Sequence, residues 1–208
     1  MILYVNGDSH SYGLGVDPKQ TFAYRVARHF GLTLVNQAES GASNQRILRT
    51  TQKYLANNEP AMVLIGWSTW EREEWLHNGQ YYSVNSSGCP GLPKELHDQY
   101  KQWVIKQTVD AVDIKSLQWH NKIHQFHNEL NQRNQKHLFF NCMYNFFKTT
   151  QVVDWAHNYI DPYSHNQSYY WYLKDLKFQA DRRYHYGADA HSAWADRLIK
   201  HIEESNLL

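Results

Sequence analysis

A serine within Gly7-Asp8-Ser9 is the first residue of the chain whose type and place fit covalent catalysis. The tripeptide follows a short apolar run at residues 2–5, which predicts a buried strand that ends in a tight turn. Catalytic groups gather at the carboxyl ends of the strands of a parallel sheet, so a serine at this place fits a nucleophile. Gly-Asp-Ser is equally a good turn and helix-capping sequence, and the tripeptide alone fits either role.

Three later segments follow further predicted strands in the same way. Residues 36–44 contain Gly41 and come after the second apolar run, a Gly-Trp-Ser block ending at Ser68 follows the third, and His185 precedes the last helix with His191 six residues on. This ordered set of blocks resembles the SGNH hydrolase (GDSL-type esterase) superfamily. The resemblance extends over nearly the whole chain through short motifs. The opening and closing blocks look most like compact members from bacterial and tailed-phage genomes.

The resemblance implies roles for several residues at this edge of the sheet. Ser9 matches the nucleophile, and its backbone N–H together with that of Gly41 would form two donors of an oxyanion hole, which stabilises the charge that develops on the attacked carbonyl oxygen. The family's third donor, an Asn side chain, falls on Ser68, which carries a single hydroxyl. Asn44 and Arg72 are the alternatives for that third donor.

The general base is implied less directly. His185 matches the family's catalytic histidine, but the residue three positions earlier is Arg182 where the family has Asp. The nearest acid, Asp181, is therefore expected to orient the imidazole, and a backbone carbonyl is the alternative. The rival pair is Asp189 and His191, which stand two residues apart and so point to different faces of a helix.

The elements that must position these residues alternate along the chain, which predicts parallel strands joined by right-handed helical crossovers. Strands are predicted at 2–5, 32–35, 62–65 and 137–142, with a short fifth at 152–155, and helices at 21–30, 44–55, twice within 96–134, and at 188–204. The fold class is accordingly α/β. The resemblance implies the flavodoxin-like form of it, a three-layer α/β/α sandwich with a central parallel sheet of four to five strands.

The chain is predicted to be one domain, 1–208, with an aromatic-rich insertion or lid around 67–93 and 144–177. Residues 80–84 fit either a hairpin arm or a part of that lid. Aromatic residues make up 15% of the chain, and those in predicted loops fit either a lid core or a wall that stacks on sugar rings. Trp67, Asn44 and Arg72 are expected to bind substrate. The expected partner is a small-molecule or carbohydrate ester, with O-acetyl groups on a carbohydrate as the example that the family suggests.

Charge and hydropathy exclude several classes of partner. Lys and Arg number 21 and Asp and Glu 20, without a basic stripe, so no nucleic-acid partner is expected. No apolar stretch approaches the roughly 18 residues of a membrane span, and the first residues turn polar too early for a signal peptide. We therefore expect no membrane partner and a cytoplasmic or virion-associated protein. Cys89 and Cys142 do not make a disulfide framework, and the sequence predicts no oligomeric state.

A metal site is the other chemistry that the residue types suggest. His120, His124 and His127 lie on one predicted helical face at spacings that metal ligands use. No Cys or suitably spaced acid completes a site there, so the polar flank of a core stripe is the better interpretation, and neither a metal nor a cofactor is expected. His10 adjoins the nucleophile in sequence and is expected to point elsewhere.

The sequence thus predicts a serine hydrolase that cleaves carboxylic esters with a Ser nucleophile and a His base. An acyltransferase that uses the same serine would have the same sequence features. The departures at Ser68 and before His185 favour a further alternative, an SGNH scaffold that is catalytically weak or inactive and acts as a glycan-binding or virion structural protein. A short distance between the Ser9 hydroxyl and His185 in the folded chain would favour the enzyme.

Overall fold

Four of the predicted apolar runs form the central sheet of the molecule. In the computed structural model, which describes residues 1–147, 149 and 152–208, these strands are β1 (Ile2–Asn6), β2 (Thr33–Asn36), β3 (Met62–Trp67) and β6 (His137–Asn141). All of them pair in parallel, in the order β2-β1-β3-β6. Every residue of β3 and β6 is buried, as expected where helices cover both faces of a parallel sheet. The predicted α/β class with a parallel sheet is confirmed.

Helices form the two outer layers. They are α1 (Ser9–Tyr12), α2 (Phe22–His29), α3 (Asn44–Leu55), α4 (His97–Ile105), α5 (Val109–Gln132), α6 (Tyr169–Asp175) and α7 (Ala188–Glu204). Successive strand residues point to opposite faces, so Leu64 and Phe140 pack with α2, α6 and α7, whereas Val63 and Phe139 pack with α3 and α5. Among the described residues, no helix is long and apolar enough to cross a membrane.

The helix boundaries follow local capping chemistry. The side-chain hydroxyls of Thr21, Ser43 and Thr108 each accept a hydrogen bond from the backbone N–H three residues further on, at the starts of α2, α3 and α5. Such bonds satisfy N–H groups that have no partner within the helix. The predicted bounds 44–55 and 188–204 agree with α3 and α7, because both helices carry an apolar stripe of buried residues.

The prediction of a fifth strand at 152–155 is wrong. That segment has no strand pairing, and Val152 is 74% exposed whereas Trp155 is buried. At the edge of the sheet, β6 instead forms one isolated parallel bridge, between Phe139 and Tyr159. In this bridge the Phe139 N–H donates to the Asn158 carbonyl over 2.8 Å. An apolar run of this length does not by itself distinguish a paired strand from a loop that packs into the core.

Residues 80–84 form one arm of a hairpin beside the sheet. Strands β4 (Glu73–His77) and β5 (Gln80–Val84) pair antiparallel around Asn78-Gly79, both with positive φ, as a two-residue hairpin turn requires. Arg49 of α3 donates two hydrogen bonds to Glu74 and lies over the Tyr81 ring. The hairpin is thereby attached to the helix that begins at the carboxyl edge of the sheet.

Candidate active site

Ser9 lies at the carboxyl end of β1, as the first residue of α1. The preceding Gly7 has a φ of 155°, and a Cβ placed on it would lie 2.3 Å from Ser11 Oγ and 2.8 Å from the Gly66 carbonyl oxygen. Only glycine fits this close approach of β1 to β3. Asp8 then caps α1 by accepting the His10 backbone N–H over 3.0 Å. The turn that follows the strand therefore fixes the serine by backbone geometry.

His185 contacts the serine from a distant loop. Its Nε2 lies 2.9 Å from Ser9 Oγ, within the distance needed for proton transfer. Burial lowers the pKa of His185 below its ordinary value, the neighbouring His10 lowers it further, and Asp181 acts in the opposite direction. Because that pKa is below 6.5, the imidazole is neutral at pH 7 and can accept a proton.

Asp181 lies beside His185 at ion-pair distance. Its Oδ1 is 3.7 Å from His185 Nδ1, too long for a hydrogen bond. The same oxygen accepts the backbone N–H groups of Arg183 and His185 over 2.8 and 2.9 Å, and these bonds lower the pKa of Asp181. Within the part of the chain that the structure describes, His185 Nδ1 is buried without a hydrogen-bond partner. The ionised Asp181 carboxylate thus lies near His185 Nδ1 without a hydrogen bond between them.

The rival histidine, His191, is used elsewhere. Its Nδ1 accepts the backbone N–H of Phe22 over 3.2 Å, and its Nε2 lies 3.3 Å from the Tyr169 hydroxyl. Burial lowers the pKa of His191 to about 4, so it stays neutral in the core between α2 and α7. His185, and not His191, is the histidine that contacts Ser9.

The hydroxyl of Ser68 is directed away from the role expected for it. It donates to Asp8 Oδ2 over 3.1 Å, while Arg72 Nη1 donates to Ser68 Oγ over 2.9 Å and to Asp8 Oδ2 over 3.2 Å. A hydroxyl carries one proton, and that of Ser68 is already given to a carboxylate. The expectation that Ser68 supplies the third oxyanion donor is therefore corrected, because its proton is used in the cluster that it forms with Asp8 and Arg72.

Two expected substrate-binding residues are structural. Trp67 is fully buried, where its ring packs edge-on against Phe126 and Phe139. Asn44 is fully buried as well, and its amide accepts the Ser68 N–H and donates to the Ser68 carbonyl over 2.8 and 3.1 Å. The expectation that these residues bind substrate is wrong because neither side chain reaches solvent. Asn44 instead fixes the end of β3 to the start of α3.

Gly41 lies in the turn before α3 with a φ of 80°, in the left-handed region that glycine adopts readily. The turn is held by the Ala42 N–H, which donates to the Glu39 carbonyl, and by the Glu39 N–H, which donates to the Gly7 carbonyl. Gly41 is thereby attached to the strand end that carries Ser9. The use of its N–H as an oxyanion donor stays a prediction.

The residue that sequence reasoning missed is His10. It is buried, and its Nδ1 lies 3.0 Å from Asp8 Oδ1 while its Nε2 lies 3.3 Å from the Tyr184 carbonyl oxygen. Burial by itself would raise the pKa of Asp8, but His10 and Arg72 outweigh it and hold that pKa well below its usual range. The Asp-Ser-His spacing was the only signal in the sequence, and it does not distinguish this contact from a helix cap.

Asp8, His10 and Cys142 bring groups able to bind a metal within 4.8 Å of one another. Arg72 already donates to Asp8, and burial raises the pKa of the Cys142 thiol, which keeps it protonated. A cation would therefore have to bind beside a guanidinium and displace a thiol proton. The chemistry of this cluster suits a buried ion-pair network better than a metal ion.

The three histidines of α5 are core-edge residues, as the sequence analysis favoured. His120 Nε2 lies 2.9 Å from the Tyr163 hydroxyl, and His127 Nδ1 lies 2.8 Å from His137 Nε2. His124 stacks beside His127 and against the edge of Trp155. Ring nitrogens of His120 and His127 are thus engaged with different partners.

We compared the sequence and the fold of this chain with those of known proteins. No protein-family model and no curated protein matches the sequence. Among solved structures, the psychrotrophic esterase EstA from Pseudoalteromonas sp., in a form inhibited by monoethylphosphonate, is 12% identical with a TM-score of 0.55, over 98% of this chain and 97% of that one. TesA is 14% identical with a TM-score of 0.54, over 100% of both chains.

These neighbours and the parallel sheet establish the fold of the SGNH hydrolases for this chain. The resemblance first inferred from short sequence blocks is thus confirmed at the level of the fold, over the full length. The chemistry at Ser9 rests on the chain's own residues, because fold alone does not establish function.

Proposed function

We propose that the protein is a serine hydrolase that cleaves carboxylic esters, with Ser9 as nucleophile and His185 as general base. The observation that carries the proposal is the 2.9 Å contact between Ser9 Oγ and His185 Nε2 at the carboxyl edge of the sheet. The pKa of His185 lies below its ordinary value, so the imidazole is in its accepting form at neutral pH. A nucleophile paired with a neutral base is the arrangement that acyl transfer needs.

In the first half of the reaction, Ser9 Oγ attacks the ester carbonyl carbon while its proton passes to His185 Nε2. The tetrahedral oxyanion is stabilised by the backbone N–H groups of Ser9 and Gly41. The intermediate then collapses, the ester C–O bond breaks, and the alcohol leaves with the proton from His185. In the second half, water gives a proton to His185 and attacks the acyl carbon. The bond between that carbon and Ser9 Oγ then breaks, His185 returns the proton to Ser9 Oγ, and the carboxylic acid leaves.

Asp181 acts as the positioning residue for the base. Its carboxylate stabilises the imidazolium that forms when His185 takes the proton, and the 3.7 Å separation shortens to a hydrogen bond at that moment. Hydrogen bonds between catalytic groups are often long before substrate binds. Asp181 is proposed here in place of the aspartate that the family carries three residues before its histidine.

Arg72 is proposed as the third stabilising group for the oxyanion. It has five N–H donors, of which Nη1 bonds to Ser68 and Asp8, and its side chain is 20% exposed. A guanidinium close to the nucleophile adds positive charge where negative charge develops, which is the principle of an oxyanion hole.

The substrate class that we propose is an O-acetyl ester on a carbohydrate. Two large, exposed aromatic side chains are close to the catalytic residues in the sequence: Tyr12, 52% exposed, ends the helix that begins at Ser9, and Tyr184, 58% exposed, precedes His185. Exposed aromatic rings beside a nucleophile suit the apolar faces of sugar rings. Acetate release from acetylated oligosaccharides, measured against release from p-nitrophenyl acetate, tests this class.

The decisive experiment combines labelling by a fluorophosphonate with hydrolysis of p-nitrophenyl acetate. Wild type is expected to label and turn over, and S9A and H185A are expected to lose both, with kcat reduced by about 10³-fold or more. S87A is the matched control, because Ser87 is exposed and its hydroxyl donates to the Asn85 side chain, two residues earlier.

The alternatives give different results in the same experiment. A folded wild type that neither labels nor hydrolyses would support a silent scaffold that binds glycans or builds a virion, which the Ser68 hydroxyl bond to Asp8 favours. Labelling with turnover that yields an acylated acceptor when a second alcohol is present would identify an acyltransferase. Free carboxylic acid as the product in the presence of that alcohol supports the hydrolase.

A further inference from the structure

The imidazole of His10 faces a hydrogen-bond acceptor at each ring nitrogen. Nδ1 lies 3.0 Å from Asp8 Oδ1, and Nε2 lies 3.3 Å from the backbone carbonyl oxygen of Tyr184. An ionised carboxylate and a carbonyl only accept, so hydrogen bonds at both contacts require both ring nitrogens to donate. With two ring protons, His10 would be an imidazolium and the buried carboxylate of Asp8 its counter-ion.

The two bonds of His10 join two segments that are far apart in the sequence. His10 follows the nucleophile directly, and Tyr184 directly precedes the base. Tyr184 has a φ of 67°, a left-handed conformation that costs a non-glycine residue free energy and persists only where the surroundings hold it. The N–H of Tyr184 donates to the Asp181 carbonyl, and the Tyr184 carbonyl accepts from His10, so the strained residue is held on both sides.

We propose that His10 is a positioning residue for the reaction: anchored on Asp8, its imidazolium binds the Tyr184 carbonyl and so holds His185 against Ser9. This inference rests on the proposed function. It also explains how a chain without the family's Asp-x-x-His spacing keeps its base in place. An error of about 1 Å in the position of a catalytic group can cost on the order of 100-fold in rate.

The charge of His10 has a second effect on the same base. The two imidazole rings lie 5.4 Å apart, so a positive His10 opposes protonation of His185. The other titratable groups close to His10 are Asp8, the Tyr169 ring at 5.3 Å, the Cys142 thiol, and His191, whose pKa a charge on His10 lowers. Of these groups, only Asp8 is ionised at pH 7, because burial raises the pKa of Tyr169 and Cys142 and lowers that of His191.

Two substitutions separate the two bonds. The side-chain amide of H10N reaches the position of Nδ1 and can still donate to Asp8, whereas the longer amide of H10Q reaches toward Nε2 and can donate to the Tyr184 carbonyl. Both remove the charge. We expect kcat for p-nitrophenyl acetate to fall roughly 100-fold in H10N and about 10-fold in H10Q, with KM changed less than about threefold in each.

The pH profile provides a readout that a structural role would not change. In both variants, the acid limb of kcat/KM is expected to move to higher pH, because the positive charge that kept His185 unprotonated is gone. Two results would overturn the proposal. One is an equal loss of kcat in H10N and H10Q accompanied by an equal loss of melting temperature, and the other is an acid limb of kcat/KM that does not move.

Ring nitrogen NMR of the wild type keeps this inference distinct from the proposed function. We expect protons on both Nδ1 and Nε2 of wild-type His10 at pH 7, and loss of the Nδ1 proton in D8N. Both results are expected whether or not the protein hydrolyses esters. A neutral His10 with one ring proton would overturn the proposal even in an active enzyme. Failure of S9A to reduce turnover would overturn the proposed function and leave the NMR result to decide whether His10 connects the two segments.

Discussion

The two halves of the candidate site are built in different ways. The nucleophile half, the strand end from Gly7 to Ser9 with Ser68, is buried, and its polar groups bond to one another. The base half, the loop from Asp181 to His185, is open: the Asp181 side chain is 44% exposed and Tyr184 58%. Core packing fixes the nucleophile, whereas a few polar contacts hold the base.

The difference follows from where each half stands in the fold. Ser9 is one residue beyond a turn that closes against β3, so its position is determined by the sheet. His185 is joined to the core by the bridge between Ala180 and Tyr186, by the turn at Asp181, and by the bond from His10. Apart from the loss of the nucleophile itself in S9A, substitutions in the first half should therefore affect mainly stability, and substitutions in the second half should affect mainly rate.

The largest effect is expected from H185Q. Removing the base should lower kcat by about 10³- to 10⁴-fold while the melting temperature stays near that of wild type, because the loop contributes little to the core. Steady-state kinetics with p-nitrophenyl acetate and thermal denaturation measure the two effects. H29Q, at an exposed histidine of α2, is the control and should keep kcat within about twofold. A large loss of melting temperature in H185Q would contradict the view that the base half contributes to rate and not to stability.

Acid should weaken the packed core on which the nucleophile half rests. Burial lowers the pKa values of His137 and His191 to about 4 in the folded chain, against about 6.5 when unfolded. The folded state therefore binds fewer protons, and stability that is complete above pH 6.5 is lost as pH falls toward 4. At pH 5 the loss is about 2 kcal/mol for each histidine.

Urea denaturation at pH 7.5 and pH 5 measures this loss. The double variant H127L/H137L removes both partners of one buried hydrogen bond, so it should lose about 2 kcal/mol less than wild type between the two pH values. An unchanged pH dependence in the double variant would contradict the lowered pKa of His137 in the folded chain.

A matched pair of glycines tests the packing of the two halves directly. A Cβ on Gly66, in β3, would lie 2.4 Å from Ser11 Oγ and 2.7 Å from the Phe140 ring, whereas a Cβ on Gly187, next to the base loop, meets nothing within 4 Å. G66A should cost about 2 kcal/mol in the free energy of unfolding. G187A should change it by less than about 1 kcal/mol. Similar losses in both variants would remove the distinction between the halves.

The smallest expected effect concerns Asp181. D181N should lower kcat about 10-fold, since the imidazolium of His185 loses a partly exposed counter-ion. Asp181 raises the pKa of His185, so its removal should move the acid limb of kcat/KM to lower pH, opposite to the shift expected for the His10 variants. D189N, in the first turn of α7, is the control. A shift of the limb in D189N but not in D181N would favour the rival acid.

Local patterns were enough for most of the fold. Alternation of apolar runs with helical stripes predicted the four parallel strands and the observed bounds of α3 and α7. The buried position of Trp67 was also accessible, because Val63, Ile65 and Trp67 alternate onto one face of β3. The strand was predicted to end at residue 65, and that boundary error made a core residue look like a loop residue.

The sequence by itself determined the class of fold, and the turn after the first strand singled out Ser9, whereas the resemblance of the closing block to the SGNH hydrolases pointed to His185. Only the tertiary structure decided the partners. Ser68 gives its proton to Asp8, Arg72 stands beside them, and His10 reaches the Tyr184 carbonyl across 174 positions of sequence. Such contacts depend on the direction in which each side chain points within the packed interior. The spacing of residues along the chain does not determine that direction.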